Sequence, residues 1–568
     1  MTKLRFRKGF ASFSTSVIAS SIMLSLAIAI PSSSADTPTV TPLTLVAPTD
    51  LPGVSAMPFT GAVAPPFTVP SNYVNLTVTP NSAVSGTPMT ITGSGLAANT
   101  SLTLTWSTSK ATWVADIEPT TANYMGDSYS KLSVVLATVT TDASGRFTLA
   151  TTAPTDFGGT HDIYAVAAGV AVAHAGFSIL RSLTVTPRSG PIGTPITITY
   201  TGLGASLYPG GAALLWDNHN TGEMMAHWTR GTSTVVIRAA GPVGNHVITV
   251  ADAIGVQYLN IMQSPLPFAE GFTRIFHTTK DNGPPTPSIV WPALVTPTVT
   301  QVTTLGSVGL DPASSAVASV SPTSGPVNTK ATLSVTGLTM TGTATLVWST
   351  VVGSRVNCSG TCWLTQPLAL GSATVTNGTL SAPITVPDGL GGWHAIKVMN
   401  GTLVEAQVAF YVKESIISFY KKDGSVATVG IERPNNVASA AAIAASGYHA
   451  QQVGTPTYRF KAGQEFTINL DGVGWTQFDN TLAVTYDNSF VGYGCGFNSS
   501  GYTVIHMHAS GVPGTHIIDL YPMLYTNQPS FANTPYGMLP VLSYANDEPA
   551  LALGYQIPSL RFAITVVK

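Results

Sequence analysis

Three stretches of the chain open on a Pro/Gly turn and then alternate apolar and polar residues. They are TVTPNSAVSGTPMTITGSGL from Thr77, TVTPRSGPIGTPITITYTGL from Thr184 and SVSPTSGPVNTKATLSVTGL from Ser319. Successive side chains of a strand point to opposite faces, so each alternating run reads as a half-buried β-strand. A weaker fourth copy, YRFKAGQEFTINLDGVGW, begins at Tyr458 and lacks the opening Ser-Gly-Pro. Behind each opening comes a second apolar strand that ends in an aromatic: LTLTW to Trp106, ALLW to Trp216, TLVW to Trp348 and LAVTY to Tyr486. A third strand then carries Gly-x-His, as GTHDI at 159–163, GNHVI at 244–248, GWHAI at 392–396 and GTHII at 514–518. Three motifs kept in one order, four times over, predict four copies of one β-unit.

Spacing and local sequence refine the pattern. From turn to aromatic the interval is 20 residues in units one and three and 23 in units two and four, and from aromatic to histidine it is 30 in units two and four against 55 and 46 in units one and three. WDN at 216–218 answers YDN at 486–488, and HAGFSIL at 174–180 answers QVAFYV at 407–412. The chain therefore reads as a duplicated pair, with a long insert after unit two and another before unit four.

Four of the 11 histidines occupy the Gly-x-His context. Residues two apart on a strand share a face, which places His161 with Ile163 and Ala165, His246 with Ile248 and Val250, His394 with Ile396 and Val398, and His516 with Ile518 and Leu520. Each imidazole is expected to face an apolar interior, neutral, with its pKa lowered by desolvation and one ring nitrogen bonded to backbone. One histidine per core cannot converge on a single metal. His161, His246, His394 and His516 are thus structural repeat positions, as are Trp106, Trp216, Trp348 and Tyr486.

The openings quoted above, with closings such as GGTHDIYAV and GNHVITV, resemble bacterial Ig-like surface modules of the IPT/TIG type. The resemblance covers most of 73–263 and 317–413, and 456–568 more loosely. In such families the closing strand often carries Tyr where these units carry histidine. The resemblance implies an all-β chain of four tandem Ig-like β-sandwich domains with little helix, and is silent on activity.

This reading divides the chain into a signal peptide at 1–35, a Pro/Thr-rich linker at 36–72, Ig-like domains at 73–181 and 182–263, and a linker or edge-strand extension at 264–316. A third domain follows at 317–413, a linker or insert at 414–455, and a fourth domain with an aromatic, Pro-rich extension at 456–568. The leader rests on Lys3, Arg5, Arg7 and Lys8 ahead of an apolar run, with Ser33-Ser34-Ala35 suited to a signal peptidase. ASAAAIAASGYHA near 438–450 is the one short, Ala-rich helical stretch.

Composition narrows the function classes. The chain has 24 Lys+Arg against 26 Asp+Glu, and the four leader charges are all basic, so the mature protein is acidic. With no basic cluster it offers nothing for phosphates, and nucleic acid is excluded as a main partner. No later apolar run is long enough for an integral membrane helix once the signal is removed. Only 9% of residues are charged, which lowers the barrier to self-association. Of the three cysteines, Cys358 and Cys362 in NCSGTCW suit a small disulfide loop worth about 2 kcal/mol, because no further soft ligands lie nearby for a metal. Cys495 is left as a buried thiol or an intermolecular link.

Chemistry is sparse. His506 and His508 in HMH share one strand face, a spacing that can bind a metal with Asp487 or Asp519 as a third ligand, but ordinary surface or core histidines are the favoured reading and no metal site is expected. Asp217 and His219 in WDNHN resemble a catalytic pair but sit in a turn-forming sequence. The chain shows no nucleophile elbow, zincin helix, P-loop or dinucleotide fingerprint, so no enzyme and no cofactor are expected. Six N-x-[ST] sequons begin at Asn75, Asn99, Asn357, Asn377, Asn400 and Asn498, a number that a Thr/Ser-rich chain reaches by chance. The leading expectation is a secreted or cell-surface structural protein that associates with itself or with other cell-envelope proteins. An adhesin or glycan-binding protein is the alternative, and a secreted enzyme with its site in 414–568 the third.

Overall fold

The computed structural model describes residues 43–45, 68–69, 73–118, 121–204, 211–226, 228–252, 272–284, 289–290, 306, 309–353, 363–421, 459–475, 481–496, 500–523, 540–543 and 560–568. The leader at 1–35, the helical stretch near 438–450 and the Cys358/Cys362 pair lie outside them. Among the described residues every regular element is a β-strand.

The strands form four pairs of sheets, one pair for each repeat. In the second unit Ser182–Thr186, Pro195–Thr201 and Thr232–Arg238 make a three-stranded antiparallel sheet. Facing it, Ser189–Gly190, Phe272–Thr278, Gly244–Asp252, Gly211–Trp216 and His219–Met225 make a five-stranded sheet whose first contact is parallel. The third unit repeats this order strand for strand, from Val317–Ser321 to Leu403–Val412. The first and fourth units keep it and add strands at the edges. In the first three units the opening strand crosses from one sheet to the other at a cis proline, Pro80, Pro187 or Pro322. The class is an immunoglobulin-like β-sandwich.

Alternation dictates burial. Lys330–Thr336 and Thr379–Thr385 bury every second residue, and between the sheets Leu333, Val335, Leu380 and Ile384 belong to one buried cluster with Trp348. Trp106, Trp216 and Trp348 are almost wholly buried, and each lies about 6 Å from a buried phenylalanine of the closing strand, Phe177, Phe276 or Phe410. Unit four places Tyr486 and Ile564 there instead.

Three boundaries differ from the sequence reading. Leu43–Leu45, within the stretch read as a linker at 36–72, is a strand paired with Trp113–Ala115 of unit one. Phe272–Thr278, within the stretch read as a linker or edge extension at 264–316, is an interior strand of unit two, held on both sides and burying Phe276. Ser415–Lys421, within 414–455, is the opening strand of unit four, paired with Glu465–Asp471. The insert falls after that strand and separates it from Arg459–Lys461, which crosses to the other sheet. That is why the opening motif looked incomplete. The closing strand Leu560–Val567 likewise lies beyond the aromatic, Pro-rich stretch.

The units are joined in a repeated way. Gly158 forms a parallel bridge with Gly204, and Gly391 with Gly474, so the first-to-second and third-to-fourth seams are alike. Gly158 N donates to Leu203 O at 2.7 Å, and Gly391 N to Val473 O at 3.0 Å. Units two and four also meet. Arg238 is ion-paired with Asp519 of unit four, both buried, and donates to the carbonyl of Phe562 at 2.8 Å.

Candidate functional site

The four histidines sit in one recurring clamp. All are buried, and each ring lies against the aromatic of the neighbouring strand with centroids 4.5 to 5.3 Å apart. Nε2 always meets the carbonyl four residues earlier, that of Phe157, Pro242, Leu390 or Val512, at 2.7 to 2.9 Å. Nδ1 always meets the residue that follows the aromatic. Both nitrogens are therefore engaged, where the sequence led us to expect one.

What Nδ1 meets depends on how the aromatic strand ends. In units one and three that strand runs on, through Ser101–Glu118 and Gly342–Gly353, and Nδ1 faces the backbone carbonyl of Ser107 or Ser349 at 2.8 Å. In units two and four it stops at a two-residue turn, Asp217-Asn218 or Asp487-Asn488, in which both residues have positive φ. There the carboxylate takes over: His246 meets Asp217 Oδ2, and His516 meets Asp487 Oδ2, both at 2.6 Å. The other carboxylate oxygen accepts from Val247 N or Ile517 N. The WDN and YDN motifs are thus parts of the clamp. Asp217 serves His246, while His219 is exposed.

For His394 and His516 the partners drive protonation in opposite directions. Burial lowers the His394 pKa, and the carbonyls of Ser349, Gly391 and Leu390 only partly oppose it. For His516 burial also acts downward, but the hydrogen bond and charge of Asp487, with the Val512 carbonyl, outweigh it and raise the pKa. The expected lowering of the pKa therefore fits His394 but not His516. A lowered pKa contributes stability that is complete above the ordinary value of about 6.5 and fades as pH falls below it; a raised pKa contributes stability complete below about 6.5 and lost as pH climbs through the folded value. Thermal melts of His394→Gln and His516→Gln against the parent protein from pH 5 to 8 are expected to give stability differences of opposite slope, that for His394 shrinking toward acid and that for His516 toward base. Parallel slopes would refute this assignment.

His506 and His508 are exposed on one face of Thr503–His508. With Tyr486, Asp487 and Ser510 they line an open cavity of about 420 Å³. The fold brings Asp487 there as a possible third ligand, but both of its oxygens are already engaged by His516 and Ile517 N. Asp519 is buried against Arg238. His506 lies 3.6 Å from Glu465. Among the described residues no group of three or more His, Cys, Asp or Glu is arranged to hold a metal. Cys495 is exposed, which removes the buried-thiol reading. In the cavity wall Tyr486 OH donates to Ser510 O at 2.8 Å, a contact between residues 24 positions apart in the chain that had no sequence signal.

No family model and no curated protein matches the chain. Among solved structures, Salmonella alpha-2-macroglobulin reacted with methylamine is 9% identical, aligned over 85% of this chain and 30% of that one with a TM-score of 0.15. A β-glycosidase from Bacteroides vulgatus is 11% identical over 37% of this chain and 23% of that one, with a TM-score of 0.12. The chain thus spans under a third of either protein, and likeness at this level carries no functional argument.

Proposed function

We propose that the protein is an extracellular structural protein built of IPT/TIG-type units, a subunit of a surface layer, sheath or filament. The observation that carries this reading is the clamp. The residues that recur in every unit, and that elsewhere perform chemistry, are consumed at both ring nitrogens in holding a strand to its neighbours. The low charge supports it, as do the apolar side chains left on sheet surfaces, among them Ile275, Val491 and Tyr493. Subunits of this kind associate by burying weakly charged sheet faces.

Sedimentation velocity and electron microscopy of the purified protein test the reading. Concentration-dependent growth into rods, sheets or fibres is expected. A monodisperse monomer at the highest attainable concentration, with no ordered assembly, would overturn it.

A further inference from the structure

Units two and four carry the same two surfaces, yet among the described residues each surface is used once. One is an end, formed by the last residues of the Thr232–Arg238 strand and the turn beside them. The other is the outer face of the histidine strand and its closing partner. In the contact between the units, the end of unit two sits on the face of unit four: Ile192 and Ala240 pack on Ile517 and Ala563, and Arg238 pairs with Asp519. Asn488, at the tip of the Asp-Asn turn, donates to Arg238 O at 2.8 Å, and Arg561 donates to Val236 O.

The matching surfaces elsewhere are open. His508 closes its strand opposite Glu465 as Arg238 does opposite Pro195, and Ser510 and Ala462 stand where unit two has Ala240 and Ile192. Ala462, His508 and Ser510 are all exposed. The cavity beside His508 is the counterpart of the surface on unit two that receives Asn488 and Arg561. On unit two, Val247 and Ile275 stand where unit four has Ile517 and Ala563, and Thr249 and Thr273 stand where it has Asp519 and Arg561. Ile517 and Ala563 are 1% and 0% exposed, whereas Ile275 is 46% exposed. Asn218 repeats the left-handed backbone of Asn488, φ 67 against 63, but is exposed.

The open pair is complementary. In the filled contact the bulk lies on the end, Ile192 against Ala563; in the open pair it lies on the face, Ala462 against Ile275. The buried charges of the filled contact give way to His508 and Thr249, so docking strands no unpaired carboxylate or guanidinium. We propose that the open end of unit four receives the exposed histidine-strand face of unit two from a second copy of the chain, head to tail, with Asn218 of that copy donating to the His508 carbonyl. The inference rests on the self-association proposed above and names its contact. Because the two surfaces differ, the contact is heterologous and leaves a free end and a free face at every step, so it propagates.

Two variants in the full chain test it: Ile275→Asp on the face and Ser510→Arg at the end. Both side chains already face solvent, and unchanged melting temperatures would show that each variant folds. Each variant alone is expected to remain monomeric where the parent protein assembles. An equimolar mixture is expected to form one-to-one dimers and no larger species, because the intact face of Ser510→Arg docks on the intact end of Ile275→Asp. Asn218→Ala is expected to weaken association about fivefold, the loss of one hydrogen bond. Variants that assemble like the parent, or a mixture that stays monomeric, would overturn this contact and leave self-association standing. A parent protein that never assembles would overturn both.

Discussion

Replacing Asp519 with alanine is expected to destabilise the contact between units two and four by about 3–5 kcal/mol, the usual cost of leaving one member of a buried ion pair alone. Asp519 is wholly buried and Arg238 nearly so, and Arg561 Nε lies 3.6 Å from the same carboxylate. Removing the carboxylate leaves Arg238 facing the carbonyls of Ile518 and Phe562 with no counter-charge. Urea unfolding followed by circular dichroism would show the loss as a lower midpoint or as a separate early transition. The double variant Arg238→Met/Asp519→Leu removes both charges of the pair and is expected to recover part of it, because Arg561 still loses the Asp519 carboxylate. A loss under about 1 kcal/mol for Asp519→Ala would mean that water reaches the pair and that it holds little.

The second large effect is steric. A Cβ on Gly391 would lie 1.7 Å from the carbonyl oxygen of Gly472, and one on Gly158 equally close to that of Gly202. Both obstacles are backbone, so neither can rotate aside. Gly391→Ala must therefore open the seam, losing the bond to Val473 O and uncovering Trp475, which is fully buried beside Val351 and Leu390. The expected cost is about 3 kcal/mol, the upper range for overpacking. Gly309→Ala is the control, because nothing lies within 4 Å of its Cβ. Thermal melting and limited proteolysis at the seam would measure the difference, and equal stability of the two variants would show that the seam yields.

The repeats were legible because a strand's period and a turn's residues are local properties. PITITYT buries alternate residues wherever it lies, and Trp216 or His246 marks its strand without reference to anything distant. The fourth unit was blurred for the opposite reason. Its opening strand and closing strand are each parted from the rest by long inserted stretches, and strand pairing across such gaps leaves no periodic trace. The candidate metal site was half legible: the i, i+2 spacing places His506 and His508 on one face. That Asp487 serves His516 could not be read, because the hydrogen bond joins strands whose register is set by the sheet.

By itself the sequence determined the β-class, the fourfold repeat, the inward turn of each histidine and the acid-leaning, charge-poor surface, since all of these follow from side-chain alternation and composition. Only the tertiary structure decided which acceptor each imidazole meets, and therefore that the pKa of His394 falls while that of His516 rises. It alone decided that Arg238 and Asp519 meet, and that one histidine-strand face is covered while its repeat stands open. The reason is physical. Burial, ion pairing and the dielectric around a charge belong to pairs of surfaces brought together across hundreds of residues, and no local pattern records the pairing.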